Sequence, residues 1–316
     1  MNSLTVVAPG LLTTVQDLGR EGHGAVGVSA SGAADALALR VGNRLVGNPE
    51  GSAGLEMTLL GGAFQFSQNA KIAITGADFG ATIEEREVPQ GAAVSVQAGQ
   101  TLKFGPAKSG ARSYLCVQGG IAVPEFLGSR STHLLSGLGG FEGRALRKGD
   151  VLPIGKAVTL PLMQNLDGRM LSLLAARKTI RVTRGPQWDD FSSATQEEFL
   201  RQAYVVTEEA NRMGIRLKGA QFELASSGEM ITEGVPLGAI QVTPSGQPII
   251  LFVEQQTTGG YPKIANVILT DISSVGQLRP RDEIRLELVT MKVAHELYRE
   301  RERLFAAWIR ARDATY

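Results

Sequence analysis

The chain has 316 residues, which predicts two domains and is long enough to bury a hydrophobic core without disulfides or metals. Its 32 Lys and Arg residues almost balance its 31 Asp and Glu residues, and a net charge of +1 argues against a nucleic-acid-binding or polybasic membrane-binding protein. The one cysteine, Cys116, excludes an internal disulfide framework. No apolar run reaches the ~18 residues of a membrane span, and the N-terminus lacks a signal-peptide pattern, so we expect a soluble cytoplasmic protein.

Short strands separated by glycine-rich turns are predicted along most of the chain, which contains 38 glycines. Their β-branched or alternating apolar residues lie at 71–76, 93–96, 101–105, 112–117, 179–183, 248–253 and 284–288. A spacing of roughly 8–12 residues with turn signals favours sandwiches or barrels over a doubly wound sheet.

Three helices are predicted among these strands. The first runs from about Gly32 to Val46 with Ser31 as its cap, and the second covers about 194–202 with Ser193 at capping-box spacing. The third extends from Met291 to about Arg312, with one apolar face and one charged face. We interpret this last helix as a solvated helix packed on the body of the protein, with a partner-binding helix as the alternative.

The domain boundary is predicted at residues 161–169, where a proline and a polar stretch follow the last strand of the first half. The predicted domains are therefore 1–165 and 166–290, both rich in strands, followed by the C-terminal helix at 291–316.

Generic catalytic motifs are largely missing. The sequence has no GxxxxGK[ST] loop and no GxSxG elbow. The glycine-rich run 137–143 misses GxGxxG by one position, and we interpret it as a plain turn. The histidines His23, His133 and His295 are scattered, so no metal site is predicted. Cys116 falls inside a strand, where a buried unreactive thiol is expected.

Four sequence blocks nevertheless resemble one family. The first is PGLLTTVQDLGREG at 9–22 with its continuation to residue 59, and the second is GAD at 76–78 together with 110–115 and 127–132. The third is NRMGIRL at 211–217, and the fourth covers 238–263 and ends in TTGGYPK. Together they resemble the KipA family, also called allophanate hydrolase subunit 2, biotin-dependent carboxyltransferase or the C-type 5-oxoprolinase subunit (PxpC). The resemblance covers residues 4–290.

The resemblance implies a mainly β fold with two cyclophilin-like β-barrel halves, a few short helices and the C-terminal helix. It also implies a hydrolase complex that opens 5-oxoproline to glutamate with ATP, in which this chain works with a KipI-like protein (PxpB) and a LamB/YcsF-like protein (PxpA) and is inactive alone. Two alternatives stay open. One is a carboxyltransferase that moves a carboxyl group from carboxybiotin, supplied in trans, to urea or a similar amide. The other is a regulator that binds a KipI-like protein.

The sequence departs from the family pattern at three positions. Glu254 stands where an aspartate is usual, Thr243 where a proline is usual, and Ala210 where a serine is common. These changes leave the expected fold intact and put the substrate in question.

Both reactions require negative charge to be stabilised on an amide or urea oxygen, for which backbone N–H groups and a cation are suited. With the family resemblance, we predict Lys263, Asp78 and Arg212 as catalytic residues. The predicted substrate-binding residues are Asn211, Gln241, Thr257, Thr258, Gly259, Gly260, Tyr261 and Arg130. The segment from Thr257 to Tyr261 is expected to form a glycine-rich turn beside Lys263. The alternative is an ordinary β-turn followed by a solvated lysine.

Each remaining site residue also has a structural interpretation. Arg212 suits a ligand carboxylate, or pairs with Glu208 or Glu209. Gln241 contacts an amide of the ligand or ties two strands together. Asp78 serves as a base or orienting group, or caps the following turn.

Arg130 binds an anion together with adjacent hydroxyls, or forms a structural ion pair. Asp17 and Arg20 are interpreted as fixing a turn or facing a partner protein. We expect a cleft between the halves to bring Asp78 and Arg130 opposite Arg212, Gln241 and Lys263.

Overall fold

The computed structural model describes residues 2–157, 166–222 and 230–313. It divides into two compact units. Unit 1 comprises Met1–Arg20, Ser31–Ala175 and Arg303–Tyr316, and unit 2 comprises Glu21–Ala30 and Ala176–Glu302. The boundary predicted at 161–169 lies partly outside the described residues, and the predicted limits 1–165, 166–290 and 291–316 stay predictions.

Unit 1 is built from two antiparallel sheets. Its strands are β1 (Ser3–Ala8), β2 (Leu12–Gln16), β3 (Gly54–Thr58), β4 (Ala63–Phe66), β5 (Ala70–Gly76), β6 (Thr82–Ile83), β7 (Arg86–Glu87), β8 (Ala93–Val96), β9 (Thr101–Lys103), β10 (Arg112–Val117) and β11 (Val151–Pro153). One sheet has the order β11-β1-β4-β9-β6-β7 and the other β2-β3-β10-β5-β8. Apolar side chains from both sheets, among them Phe64, Phe66, Leu55 and Ile74, form one buried core.

Helix α1 (Ala36–Leu45) packs against β5 and β10. The prediction of Ser31 as its cap is wrong: the side chain of Asp35 accepts the capping hydrogen bond from the backbone N–H of Ala38. Ser31 instead adopts a positive φ of 55° and its hydroxyl donates to the carbonyl of Thr132. A second helix, α2 (Gly168–Leu174), was not predicted and buries only Met170.

A buried polar cluster fixes the start of α1. The Tyr114 hydroxyl donates to Glu56 at 2.7 Å and accepts from the backbone N–H of Asp35 at 2.7 Å. Glu56 also accepts from the backbone N–H of Ala34. Burial, the negative charge of Glu56 and that of Asp35 raise the pKa of Tyr114 well above its ordinary value, so the phenol stays protonated and can donate.

Tyr114→Phe is expected to lower the free energy of unfolding by about 1–3 kcal/mol, because the backbone N–H of Asp35 and the Glu56 carboxylate both lose a buried partner. Chemical denaturation followed by circular dichroism measures this change. Tyr298→Phe on the exposed C-terminal helix is the matched control and should stay within about 0.5 kcal/mol. Equal midpoints for the two variants would contradict a stabilising role of the cluster.

Unit 2 contains a closed seven-stranded barrel. The strands of the unit are β12 (Thr179–Arg184), β13 (Ala203–Val206), β14 (Gly214–Lys218), β15 (Glu233–Gly234), β16 (Ala239–Val242), β17 (Pro248–Leu251), β18 (Thr258–Gly259), β19 (Lys263–Val267) and β20 (Glu283–Leu288). The barrel has the order β12-β19-β16-β17-β14-β13-β20, with β12 and β20 parallel, and β15 and β18 form a separate two-stranded ribbon.

Three further helices follow in chain order: α3 (Ser193–Arg201), α4 (Ile272–Gly276) and α5 (Met291–Asp313). Short 3-10 turns lie at Gly24–Val26 and Trp188–Asp190. The predicted cap of α3 is wrong by one residue, because Ser192 rather than Ser193 accepts from the backbone N–H of Thr195.

Helix α5 confirms the amphipathic helix predicted at the C-terminus. Phe305 and Trp308, in its last turns, pack into a core of unit 1 with Leu37 and Leu45 of α1. The guanidinium of Arg40 lies 4.3 Å from the centre of the Phe305 ring. Burial along α5 is therefore concentrated at one end.

The mainly β fold class with a few short helices and a C-terminal helix is confirmed, and the closed barrel is observed in unit 2. Among the helices of the described residues, none combines the length and the apolar character needed to cross a membrane.

Candidate functional site

Lys263 begins β19 and extends its side chain into a nearly closed environment, with only 3% of that side chain exposed. Its ammonium lies 2.5 Å from Oε1 of Glu233 on β15. Its backbone N–H donates to Oε1 of Gln187 at 3.0 Å, and Nε2 of Gln187 donates to the same Glu233 oxygen at 2.9 Å. The alternative of a solvated lysine is therefore wrong.

The Glu233 carboxylate is the exposed member of this network, with 43% of its side chain accessible. The hydrogen bond from Lys263 and then that from Gln187 hold its pKa below the ordinary glutamate value. A lowered pKa keeps the Glu233 carboxylate charged at neutral pH. Its attraction to the Lys263 ammonium is lost only as the pH falls through that lowered pKa. At neutral pH the site therefore contains a formed ammonium–carboxylate pair.

The segment before Lys263 forms a strand rather than the predicted turn. Thr258 and Gly259 make β18, in which Gly259 faces Glu233 and Thr258 faces Gly234 of β15. A Cβ atom at Gly259 would lie 2.6 Å from Nε2 of Gln256 and 2.8 Å from Nε2 of Gln241. Two side-chain amides therefore approach the backbone closely at Gly259, and a larger residue there would displace them.

Gln241 ties two elements together, as one of its two interpretations predicted. It is buried on β16, opposite Lys263, and its Nε2 donates to the Tyr261 carbonyl at 3.3 Å. Tyr261 and Thr258 are exposed, while Thr257 is half-buried and its carbonyl accepts from the backbone N–H of Val235. Gln241, Gly259, Tyr261 and Lys263 thus share one neighbourhood in unit 2.

Arg212 lies in a buried ion pair with Glu254, whose Oε1 is 2.5 Å from Nε of Arg212. The alternative predicted Glu208 or Glu209 as its partner, whereas Glu208 pairs with Arg281 and Glu209 with Arg216. The backbone N–H of Glu254 also donates to the carbonyl of Arg212. The geometry gives Arg212 a structural partner, and its predicted role toward a ligand stays a prediction.

Asn211 shapes the turn before β14. Its Oδ1 accepts from the backbone N–H groups of Met213 at 2.8 Å and Gly214 at 3.3 Å, and its own N–H donates to the Gly214 carbonyl. This is the local bonding expected of an asparagine in a turn.

Asp78 in unit 1 caps the following turn and lines a cavity. Its Oδ1 accepts from the backbone N–H of Gly80 at 2.7 Å, and its Oδ2 lies 3.5 Å from the ammonium of Lys108. The cavity has a volume of about 490 Å³, and its other lining residues include Thr82, Glu87 and Gln90. The capping alternative is observed, and an accessible carboxylate remains available to a small ligand.

Arg130 forms a structural ion pair, the second of its two interpretations. It contacts Glu125 at 2.9 Å and donates through Nε to the carbonyl of Val123. The adjacent hydroxyls of Ser129 and Ser131 both donate to Oδ1 of buried Asp17 at 2.6 Å. Asp17 therefore fixes this loop, in agreement with its turn-fixing interpretation.

The glycine-rich run 137–143 is a tightly packed turn region, and its predicted interpretation as a plain turn agrees with its backbone. Gly139, Gly140 and Gly143 have positive φ values, and a Cβ on any of them would overlap neighbouring backbone or side-chain atoms. No helix begins after the run; the next element is β11. Across the described ranges 2–157, 166–222 and 230–313, no three His, Cys, Asp or Glu side chains are arranged to hold a metal.

The predicted residues thus fall into separate groups within the two units, and a single site made by both stays a prediction. Sequence reasoning missed Glu233 and Gln187, which lie 30 and 76 residues from Lys263. The one sequence signal for Glu233 was its charge next to a glycine, Gly234. Nothing in the local sequence marks Gln187.

Residues 26–288 match the family model described as "Carboxyltransferase domain, subdomain A and B". The chain is 39% identical over 289 residues to the C-type 5-oxoprolinase subunit of Haemophilus influenzae, covering 92% of each chain. It is 37% identical to the C-type 5-oxoprolinase subunit of Escherichia coli, covering 96% of this chain and 98% of that protein.

The structure of the K. lactis urea amidolyase is also similar, with a TM-score of 0.89 and 33% identity. The match covers 97% of this chain and 20% of the amidolyase, so this chain corresponds to about a fifth of that protein.

Proposed function

The chain belongs to the family of the carboxyltransferase domain, subdomain A and B, and on that premise we propose that it is the C-type subunit (PxpC) of a 5-oxoprolinase complex. The observation that carries this proposal is the identity of 37–39% to two C-type 5-oxoprolinase subunits along nearly the whole length of each. Such coverage leaves no large additional domain in either relative to account for a different role.

Opening a cyclic amide places negative charge on the carbonyl oxygen, and the neighbourhood of Lys263 suits that demand. Its ammonium supplies a cation in a poorly hydrated place, where an electrostatic interaction is stronger than in water. Gly260 is exposed and lets a ligand approach the backbone without a Cβ in the way. In this proposal Lys263 stabilises the oxyanion, and Thr258 and Tyr261 line the approach.

ATP enters the proposal as a substrate of the complex. Because the sequence has no P-loop, we place the nucleotide on another protein of the complex. A KipI-like protein (PxpB) and a LamB/YcsF-like protein (PxpA) complete the proposed complex, and this chain alone is expected to be inactive.

The test is ATP hydrolysis by the reconstituted mixture of the three proteins, with and without 5-oxoproline. We expect 5-oxoproline-dependent phosphate and glutamate release that requires this chain. Release of both products at the same rate when the chain is omitted would overturn the proposal.

A carboxyltransferase is the second candidate, because the fold matches the K. lactis urea amidolyase over 97% of this chain. Carboxybiotin would supply an activated carboxyl group. Lys263 offers that carboxylate a cation, and the amide of Gln241 lies at the same place for a planar urea. Acceptor-dependent consumption of carboxybiotin in trans, with no response to 5-oxoproline, would favour this candidate.

A further inference from the structure

Three residues from different parts of unit 2 form a closed hydrogen-bonded ring. Lys263 comes from β19, Glu233 from β15, and Gln187 precedes the 3-10 turn at Trp188–Asp190. The ammonium and the Gln187 amide both donate to Oε1 of Glu233, and Oε1 of Gln187 accepts from the backbone of Lys263. Each residue contacts the other two, so moving one disturbs the position of the ammonium.

The backbone around Gln187 is held in place independently. Its N–H donates to the carbonyl of Lys263 at 3.2 Å, and the N–H of Gly185 donates to the carbonyl of Ile264 at 2.9 Å. A Cβ at Gly185 would overlap the Lys263 carbonyl, so this segment is packed directly on β19. The Gln187 amide is therefore a fixed point from which Glu233 and Lys263 are aligned.

The ammonium retains capacity for a ligand. A lysine ammonium has three N–H donors. Within the described part of the chain, Glu233 is the one acceptor it contacts. Burying a donor without a partner is costly, so two unused donors on a side chain that is 3% exposed point to an oxygen-rich ligand. Glu233, by contrast, is accessible and lies beside Gly259 on the ribbon.

We propose that Glu233 and Gln187 are positioning residues that hold the Lys263 ammonium beside β18, where its free donors bind an anionic oxygen of the substrate. The inference rests on the proposed function for the identity of that substrate, whose class is an amide bearing a carboxylate. The positioning itself rests only on the geometry.

The test combines turnover of the reconstituted complex with chemical labelling of Lys263. Glu233→Gln keeps the shape of the side chain and removes its charge, and Glu233→Asp restores the charge on a shorter side chain. Glu208→Gln is the matched control, because Glu208 pairs with Arg281 at 2.8 Å in the same unit and is 65% exposed. Acetic anhydride acylates lysine side chains that it can reach, and mass spectrometry of the Lys263 peptide gives the labelling rate.

We expect Glu233→Gln to raise the labelling rate of Lys263 severalfold, because the ammonium loses the ion pair that holds it in its nearly closed environment. We expect it to lower kcat by about 10- to 100-fold with a smaller change in KM, since a misplaced cation acts mainly in the transition state. Glu233→Asp should recover part of the kcat. Glu208→Gln should change neither quantity.

Labelling of Lys263 that is equal in wild type and Glu233→Gln would overturn the positioning role, whatever the turnover. Faster labelling of the Glu233→Gln variant, in a complex whose wild type never responds to 5-oxoproline, would instead support the positioning role and overturn the oxoprolinase function. If Glu233→Gln fails to fold, Gln187→Ala gives the same readouts, because it removes the other contact of Glu233.

Discussion

Replacing Lys263 by methionine is expected to lower the 5-oxoproline-dependent turnover of the reconstituted complex by at least about 100-fold. Removing one group that stabilises a developing oxyanion typically costs a factor of about 10² to 10³ in kcat. The ammonium is the one cation in the group formed with Gln241, Gly259 and Tyr261, and it is almost completely shielded from water. Steady-state kinetics at saturating ATP measure the effect.

The fold should tolerate this change, because the carboxylate that loses its partner is solvated: Glu233 is 43% exposed. Lys178→Met is the matched control, since Lys178 forms an ion pair of the same 2.5 Å length with Asp282 but is 54% exposed. We expect Lys178→Met to retain turnover. Turnover of Lys263→Met within about threefold of wild type would exclude an oxyanion role for the ammonium.

Strands with strong local signals were predicted accurately. The segments 93–96 and 112–117 match β8 and β10, because each is an apolar or alternating run followed by a glycine turn. The C-terminal helix predicted from Met291 was also predicted accurately, because its apolar residues recur at helical spacing over a long stretch. By contrast, the caps of α1 and α3 were misplaced, since several hydroxyl or carboxylate residues precede each helix and tertiary contacts select one.

The candidate site was only partly accessible to sequence reasoning. The TTGGYPK motif led to Lys263, but the local sequence suggested a turn where a ribbon with β15 forms. That pairing joins segments that are separated along the chain by strands β16 and β17 of the barrel. Partners such as Glu233 and Gln187 depend on strand register, which a single sequence does not display.

Arg212 illustrates the same limit, because its partner lies 42 residues away. The sequence suggested Glu208 or Glu209, which are close along the chain, whereas the hydrogen bond between Glu254 N–H and the Arg212 carbonyl places Glu254 alongside it. Glu254 is one of the positions that depart from the family pattern, so the length of its side chain bears directly on how this arginine is held.

Arg212→Ala is expected to lower the free energy of unfolding by about 3–5 kcal/mol, because it breaks a buried ion pair by removing one member. Denaturant unfolding measures the loss. Arg216→Ala is the control, since its pair with Glu209 is exposed and should contribute no more than about 1 kcal/mol. Equal losses of stability for the two variants would contradict a larger contribution from the buried pair than from the exposed pair.

The paired change Arg212→Met with Glu254→Met separates stability from catalysis. Replacing both members of a buried ion pair by apolar residues of similar volume is often neutral for stability, so the double variant should recover most of the loss. A stable double variant with normal turnover would assign Arg212 a purely structural role. A stable double variant that has lost turnover would show that the Arg212–Glu254 pair acts in turnover beyond its effect on stability, in line with the role toward the substrate predicted for Arg212.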